Sequence, residues 1–385
     1  MNSRVAIVQR VLPHYRVMLF EDLRERLGSV GIELVVIHGQ PQSSEQSKRD
    51  SGELSWAVTV QNRYVRFGRR SLCWQPVLRQ LRGCDLVVVE QASRLLVNYP
   101  LLVWRLLRGP RVAYWGHGKN LDAREPSRIG EWAKHRLVRR ADWWFAYTQK
   151  SADLLAQAGV DAGTVTVLQN AIDTNALAVE HAALTKADLA KARAELGIGE
   201  ERVIVMLGSL YPSKRVTFAI TVVDLLQKLV PGVQLIVIGD GPDGPQLDMA
   251  AVSRPWVHVL GARVGGDLVR YAALGDVMLN PGLVGLSIVD SFALRVPMVT
   301  CELDYHSPEV SYLVDGENGC MLSAGSTPEQ FATAIGELLA SPSKLSRLRD
   351  GCGRSAKQYT VEEMSRRFAD GITSAIGARP DLEKS

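Results

Sequence analysis

The stretch PGLVGLSIVDSFALRVP, residues 281–297, decides the fold that we predict for this chain. It follows the apolar segment Asp276–Asn280, which is typical of a short buried strand. Gly282 and Gly285 allow a tight turn after that strand, and the residues that follow have helical character up to Pro297. The stretch therefore predicts a strand, a turn and a helix, which is the repeating unit of a parallel α/β sheet.

Such a turn presents unpaired backbone N–H groups at the start of the helix, and these groups suit a phosphate or a diphosphate. If the helix begins near Leu286, Asp290 lies one turn further along on the same face. A carboxylate there is well placed to accept hydrogen bonds from sugar hydroxyls. The alternative is an ordinary turn with a solvent-facing aspartate.

Strand and helix patterns alternate along most of the chain, which predicts two doubly wound parallel sheets in tandem with ligands between them at the carboxyl ends of strands. A hinge and a surface helix are predicted between Asn170 and Gly199. The predicted strands are Arg4–Gln9, Glu33–Gly39, Asp85–Glu90, Arg111–Trp115, Trp144–Tyr147 and Val165–Leu168 in the first half, and Val203–Leu207, Val233–Ile238, Val257–Leu260, Val277–Leu279 and Met298–Thr300 in the second.

The composition is that of a soluble globular protein, with a hydrophobic fraction of 46% over 385 residues. No apolar run approaches the roughly 18 residues that span a bilayer, and the N-terminal apolar run is too short for a signal peptide, so we expect a cytoplasmic protein. The five scattered cysteines argue against a disulfide framework or a structural zinc site. Residues 1–150 hold 25 Lys and Arg against 13 Asp and Glu, whereas the remainder is acidic.

Two loops of the second half carry candidate phosphate ligands. The first, GSLYPSKR at 208–215, closes on Lys214, which can reach a phosphate; a plain surface lysine is the alternative. The second, GDGPDG at 239–244, has the form GxGxxG and invites a dinucleotide interpretation. Pro242 lies inside that motif and no ribose-binding acid follows the next strand. The turn is then explained by close backbone approach to a ligand, or by chain reversal alone.

In the first half, His117 lies between two glycines at the carboxyl end of a strand, which favours a hydrogen-bonding or acid/base group that faces the ligand. Tyr15 and Arg16 lie at the first strand–helix turn, and Arg16 is a candidate ligand for an anionic acceptor. The alternative for Arg16 is a helix-start residue that pairs with Glu21 or Asp22.

Two basic stretches, Arg63–Arg82 and Lys134–Arg140, are interleaved with tryptophans. As helical segments they would suit an anionic membrane surface; a solvated basic face over buried tryptophans is the alternative. Nucleic acid fits less well, because no recognised nucleic-acid module is present and the second half is acidic.

Taken together, these motifs resemble the retaining glycosyltransferases of family 4, which have the GT-B fold of two Rossmann-like domains with an interdomain cleft. The resemblance covers nearly the whole chain and is strongest from about Val203 to Leu322. The segments that carry it are Gly208-Ser209-Leu210…Lys214, Gly239-Asp240-Gly241-Pro242, Gly285-Leu286-Ser287…Asp290, Pro308-Glu309…Asp315-Gly316-Glu317-Asn318-Gly319, His117 and Asn170-Ala171-Ile172-Asp173.

The resemblance implies an N-terminal acceptor domain at 1–180, a C-terminal nucleotide-sugar domain at 181–358, and a tail at 359–385 whose helix packs back on the N-terminal domain. It implies that Lys214 contacts the donor diphosphate and that His117 lies near the donor sugar. It places the remaining donor contacts at Gly208, Ser209, Arg215, Gly239, Gly241, Ala262, Arg263, Val264, Gly285, Leu286, Ser287 and Asp290, of which Asp290 holds the ribose and Ala262–Val264 the base. Tyr15, Arg16 and Asn170 are the candidate acceptor residues.

This sequence departs from the family pattern at two positions. The first glutamate of the family's acidic pair is Gly282 here, and the arginine that accompanies the lysine is Ser209. The first change leaves the donor sugar open, with a deoxy or otherwise modified hexose as one hypothesis. The second removes positive charge near the diphosphate, which Arg215 would have to supply.

The sequence thus predicts a retaining, metal-independent hexosyl- or deoxyhexosyltransferase with no cofactor beyond its nucleotide-sugar co-substrate. Its acceptor would be a glycan or a lipid-linked molecule of bacterial cell-surface polysaccharide or glycolipid synthesis, met in the cytoplasm at the inner face of the membrane. Two other functions remain open: a non-catalytic sugar-nucleotide-binding protein, and an NAD(P)-dependent oxidoreductase.

Overall fold

The structure of the protein is a computed structural model that describes residues 3–42, 51–67, 70–118 and 140–377. The chain forms two compact units. Unit 1 comprises Met1–Asp173 and Val361–Ser385, and unit 2 comprises Thr174–Thr360. Each unit is built around one parallel sheet, so the predicted α/β fold class with two Rossmann-like sheets is confirmed.

The sheet of unit 1 has seven parallel strands in the order β3-β2-β1-β6-β7-β8-β9. The strands are nearly continuous apolar runs because helices cover both faces of the sheet. The elements are β1 (Ser3–Val11), α1 (Val17–Ser29), β2 (Ile32–Gly39), β3 (Val58–Val60), β4 (Arg63–Phe67), β5 (Arg70–Trp74), β6 (Leu86–Glu90), α2 (Asn98–Leu106), β7 (Arg111–Gly116), β8 (Trp143–Ala146), α3 (Gln149–Gln157) and β9 (Val165–Val167).

The sheet of unit 2 has six parallel strands in the order β12-β11-β10-β13-β14-β15. Its elements are α4 (Asn175–Ala183), α5 (Lys186–Glu195), β10 (Val203–Leu207), α6 (Val216–Leu229), β11 (Gln234–Ile238), α7 (Gly244–Val252), β12 (Val257–Gly261), α8 (Gly265–Ala272), β13 (Val277–Leu279), α9 (Ser287–Ala293), β14 (Met298–Cys301), β15 (Gly319–Leu322), α10 (Pro328–Leu339) and α11 (Pro342–Gln358).

The last helix, α12 (Val361–Gly377), is part of the core of unit 1. Its Phe368 is fully buried, with its ring 5.0 Å from that of Trp115 on β7 and 4.4 Å from that of Phe145 on β8. An aromatic side chain buried in this way contributes a few kcal/mol to stability, so the helix is firmly attached to unit 1.

All eleven predicted strands are present, and the predicted surface helix after Asn170 is the pair α4 and α5. One prediction was wrong: the start of the basic stretch Arg63–Arg82 is an antiparallel hairpin of β4 and β5 rather than a helix. Residues 134–139 of the second basic stretch lie outside the described residues. The five cysteines are unpaired, as predicted. Among the described helices, none is both long and apolar enough to cross a membrane.

Candidate active site

The order of strands reverses between β10 and β13 in unit 2, and the loops that follow these two strands meet at the carboxyl edge of the sheet. In doubly wound folds, ligands bind at this point. The backbone N–H of Leu283, after β13, donates to the carbonyl oxygen of Ser213, after β10, at 2.8 Å. The loop at 208–215, which carries Lys214, and the turn that precedes α9 are therefore hydrogen-bonded to each other.

Gly282 makes that contact possible. A Cβ atom on Gly282 would lie 2.2 Å from the carbonyl oxygen of Ser213 and 2.6 Å from the Cα of Lys214. Neither backbone atom can move without displacing the loop that carries the lysine. The position at which the family has a glutamate thus has no space here for any side chain, which explains the glycine as a packing requirement.

Lys214 and Asp290 form the charged centre of this edge. Burial lowers the pKa of Lys214 to about 8, although the nearby carboxylate of Asp290 opposes that change. Burial likewise raises the pKa of Asp290 to about 7, against the effect of the lysine. Within the described residues, neither side chain forms an ion pair or a hydrogen bond. The site therefore holds an ammonium group that is poorly solvated and is compensated only by a carboxylate that does not reach ion-pair distance.

Ser287 lies at the first position of α9, and its side-chain Oγ is buried without a hydrogen-bond partner among the described residues. A buried hydroxyl of this kind is available to a ligand. The helix itself has only seven residues, so its end is a weak anion site by itself, and the lysine ammonium and the hydroxyl are the side-chain groups here that suit an anion. Gly285 has no side chain and that of Leu286 is apolar, so neither adds a polar side-chain group to the site.

The GDGPDG turn, residues 239–244, packs against the backbone of the loop at 208–215 that carries Lys214. A Cβ on Gly239 would lie 1.9 Å from the carbonyl oxygen of Gly208, and one on Gly241 would lie 2.5 Å from that of Leu210. The backbone N–H of Leu210 also donates to the carbonyl oxygen of Asp240 at 2.9 Å. The glycines thus allow two neighbouring loops to pack together, which accounts for the motif without a dinucleotide.

The remaining candidate donor residues differ in their exposure. Ser209 is exposed, and so are Ala262, Arg263 and Val264 in the loop between β12 and α8. The guanidinium of Arg215 donates to the carbonyl oxygen of Pro281 at 3.2 Å and stacks 4.1 Å from the centre of the Phe218 ring. Arg215 therefore supports the turn before Gly282.

Sequence analysis missed His306, which is buried beside this turn. Its Nδ1 accepts a hydrogen bond from the backbone N–H of Val284 at 2.9 Å, so Nε2 carries the proton and donates to the carbonyl oxygen of Cys301 at 2.7 Å. This histidine fixes the turn against β14. Its position five residues after the end of a buried strand was the available signal.

In unit 1, His117 follows β7, and its ring lies edge-on to that of Tyr147, with the ring centres 4.3 Å apart. The turn behind the histidine is held by Gln91, whose Oε1 accepts the backbone N–H of Gly118 at 2.9 Å. Gly118 has a φ of 72°, which favours glycine. His117 is half-buried at the carboxyl edge of the unit 1 sheet, where a catalytic group was predicted.

Arg16 is buried beside Tyr147, the residue whose ring contacts that of His117. Its guanidinium lies 3.8 Å from the centre of the Trp115 ring and donates to the Tyr147 hydroxyl at 2.9 Å and to Gln9 Oε1 at 3.2 Å. Burial disfavours the charge, but Tyr147, Tyr15 and Glu90 favour it, and the net effect raises the pKa of Arg16.

No carboxylate among the described residues pairs with Arg16. The alternative pairing with Glu21 or Asp22 is wrong: Glu21 accepts from the Trp56 indole, and Asp22 pairs with Arg26.

Two further donors at this edge have no hydrogen-bond partner within the part of the chain that the structure describes. Gln9 Nε2 and Trp115 Nε1 are buried donors without a hydrogen-bond acceptor among the described residues. Tyr15 is half-buried, with its ring centre 5.8 Å from the Arg16 guanidinium. Asn170 is buried, and its backbone N–H donates to the carbonyl oxygen of Tyr147 at 2.7 Å. The structure thus brings Arg16, Tyr15, Asn170 and His117 together around Tyr147.

Two family models match the chain. The model described as Glycosyltransferase Family 4 matches residues 18–176, and the model described as Glycosyl transferases group 1 matches residues 201–341.

Two curated relatives illustrate the likeness. The chain is 25% identical over 310 residues to the alpha-D-kanosaminyltransferase of Streptomyces kanamyceticus, covering 78% of this chain and 73% of that protein. It is 30% identical over 166 residues to the GDP-mannose-dependent alpha-(1-6)-phosphatidylinositol monomannoside mannosyltransferase of Mycolicibacterium smegmatis, covering 40% of this chain and 42% of the relative.

The fold is also that of HepE from Anabaena, solved in complex with UDP. The TM-score is 0.70 at 18% identity, over 97% of this chain and all of that one. Since the two family models together match most of the chain, this protein is a glycosyltransferase that belongs to family 4 and has the GT-B fold.

Proposed function

We propose that this glycosyltransferase moves a sugar from a nucleotide-sugar donor to a hydroxyl of a glycan or lipid-linked acceptor, with retention of configuration and without a metal ion. The observation that carries the proposal is the Lys214 ammonium, which lies beside Asp290 at the switch point of unit 2 with a pKa lowered to about 8. A half-buried cation that forms no close ion pair within the described part of the chain is suited to a ligand that brings negative charge.

The chemical demand of the reaction is to stabilise the departing nucleoside diphosphate. The bond between the sugar's anomeric carbon and the diphosphate oxygen breaks, and the acceptor oxygen bonds to that carbon. If the acceptor attacks from the face that the diphosphate leaves, configuration is retained and the diphosphate oxygen takes the acceptor's proton. Lys214 and the Ser287 hydroxyl would stabilise the negative charge that develops on that oxygen.

The donor is proposed to lie against unit 2, with Asp290 accepting from the ribose hydroxyls and the Ala262–Val264 loop next to the base. HepE binds UDP, which makes uridine nucleotides the first candidates. Gly282 offers no carboxylate to the sugar hydroxyls, and its contacts leave no space for one. This supports a donor sugar that lacks or replaces a hydroxyl at that point, such as a deoxyhexose.

The acceptor is proposed to bind at unit 1, where the Arg16 guanidinium and the unpaired donors on Gln9 and Trp115 would meet an anionic or oxygen-rich group. The mycobacterial relative is named for a phosphatidylinositol mannoside acceptor, which supports a lipid-linked acceptor here. We infer a cytoplasmic enzyme that works at the inner face of the membrane in cell-surface polysaccharide or glycolipid synthesis, with His117 contacting the donor sugar.

A thermal-shift screen against UDP, GDP, dTDP and their sugars tests donor binding, and hydrolysis of each donor in excess EDTA tests metal independence. We expect one nucleotide series to stabilise the protein and its sugar to be released slowly without metal. Release that requires added Mg²⁺ would contradict the metal-free mechanism. Donor binding with no turnover on any acceptor would favour the non-catalytic alternative.

A further inference from the structure

We propose that the outer face of α2 and the arginine groove beside it form the surface by which this enzyme docks on an anionic phospholipid bilayer. The docking surface consists of Tyr99, Val103, Leu106 and Leu107, together with the groove of Leu78, Arg79, Arg82, Pro100 and Trp104. It deepens the proposed function, because a lipid-linked acceptor requires the enzyme to reach a membrane.

The apolar part of the docking surface is one face of a helix. Tyr99, Val103, Leu106 and Leu107 follow the spacing i, i+4, i+7 and i+8, and the last three are 58%, 66% and 74% exposed. The opposite face of α2 packs into the core of unit 1 through Leu101 and Leu102. The helix is therefore held rigidly while its outer face presents apolar side chains to solvent, which costs free energy unless something covers them.

The groove beside this face has a volume of about 540 Å³ and carries Arg79 and Arg82, both exposed. Neither guanidinium forms an ion pair or a hydrogen bond within the described residues. Trp104, which lines the same groove, is half-buried, and tryptophan is a residue that favours the interface between water and lipid.

Few acidic residues lie near the docking surface in the sequence: only Asp85 and Glu90 stand between the two segments below, and their carboxylates accept the backbone N–H groups of Arg4 and Arg10. Neither residues 54–84 nor residues 91–121 contain a single Asp or Glu, although the first segment has six arginines. The nearest acidic partner that the structure shows for α2 is Asp142, which is already paired with Arg105 at 2.6 Å. Exposed apolar side chains next to unpaired arginines match an anionic bilayer, with its hydrocarbon below and phosphates above.

The test is cosedimentation of the full chain with vesicles of phosphatidylcholine, with and without phosphatidylglycerol. The variant Leu106→Ser/Leu107→Ser should weaken binding to the anionic vesicles about tenfold or more. The variant Arg79→Gln/Arg82→Gln should weaken it about twenty-fivefold, at about fivefold for each arginine, and high salt should also weaken binding of the native protein. The matched control is Met249→Ser/Val252→Ser, which removes two exposed apolar side chains from α7 of unit 2.

Thermal stabilisation by the donor nucleotide reports on unit 2 separately, so its retention in each variant shows that the protein is folded and that donor binding is intact. The variant Leu106→Phe should keep vesicle binding. Equal binding of the native protein and both docking-surface variants, or no binding at low salt, would overturn the proposal. A concentration-dependent dimer that Leu106→Ser/Leu107→Ser dissociates would overturn it too, by assigning the surface to a second copy of the chain.

Discussion

Replacing Lys214 with alanine should remove most of the donor affinity. Lowering the pKa of a lysine from 10.5 to about 8 means that its ammonium is less stable in the site than in water by about 3 kcal/mol. A diphosphate would restore the lost solvation and add charge-assisted hydrogen bonds. We therefore expect Lys214→Ala to weaken nucleotide-sugar binding by on the order of a hundredfold, or about 2–3 kcal/mol.

Isothermal titration with a nucleotide sugar from pH 6 to 9.5 is the assay, because the diphosphate diester keeps its charge over that range. The ammonium form binds the donor, so affinity should fall as pH rises through the pKa of about 8. It should also fall below about pH 7, where Asp290 becomes protonated and no longer supports the cation or accepts from the ribose. These two limits belong to the coupled pair rather than to either residue alone.

In Lys214→Ala, donor affinity should no longer fall at alkaline pH. Its fall at acid pH should move to higher pH, because the lysine no longer lowers the pKa of Asp290. Lys228→Ala, at an exposed position of α6, is the control and should bind like the native protein. An affinity within threefold (about 0.6 kcal/mol) of the native value in Lys214→Ala, with the same pH profile, would refute the assignment of the diphosphate to this lysine.

The other predictions concern three positions. Asp290→Asn should weaken nucleotide binding without changing the choice of sugar. Because the Asp290 carboxylate raises the pKa of Lys214, the loss of donor affinity at alkaline pH should begin at a lower pH in this variant. A loss at the same pH as in the native protein would contradict the interaction between the two residues. Gly282→Ala should weaken donor binding at least tenfold (about 1.4 kcal/mol), because the added Cβ displaces the loop that carries Lys214. The control is Gly28→Ala on α1, where a Cβ meets nothing within 4 Å, and it should bind the donor normally. Isothermal titration of both variants with the nucleotide sugar measures the difference. Arg16→Lys should raise the acceptor KM about tenfold while donor affinity stays unchanged, because a lysine cannot both stack on the indole and hydrogen-bond in a fork. Arg24→Lys is its control, because Arg24 lies on α1 and also stacks on a tryptophan, and equal acceptor kinetics in the two variants would argue against an acceptor role for Arg16.

Much of the fold could be predicted because each buried parallel strand is recognisable as a short apolar run in the sequence. Val203–Leu207 and Val277–Leu279 are continuous apolar runs, and a chain that alternates such runs with amphipathic helices has few topologies to choose from. The hairpin of β4 and β5 was missed because its spaced arginines, as in Arg63 and Arg66, obscure the alternation of an exposed two-stranded ribbon.

The sequence by itself determined the family, the two sheets and the loops that carry Lys214 and Asp290, since each depends on residues that are close in the chain. Only the tertiary structure decided what those residues touch. That Gly282 packs on the backbone of Ser213, that the GDGPDG glycines brace a neighbouring loop, and that Arg16 stacks on Trp115 are contacts between segments distant in sequence. Such contacts form only once the order of strands in each sheet has brought the loops after distant strands to the same edge, and a short stretch of sequence does not show which side chains then meet.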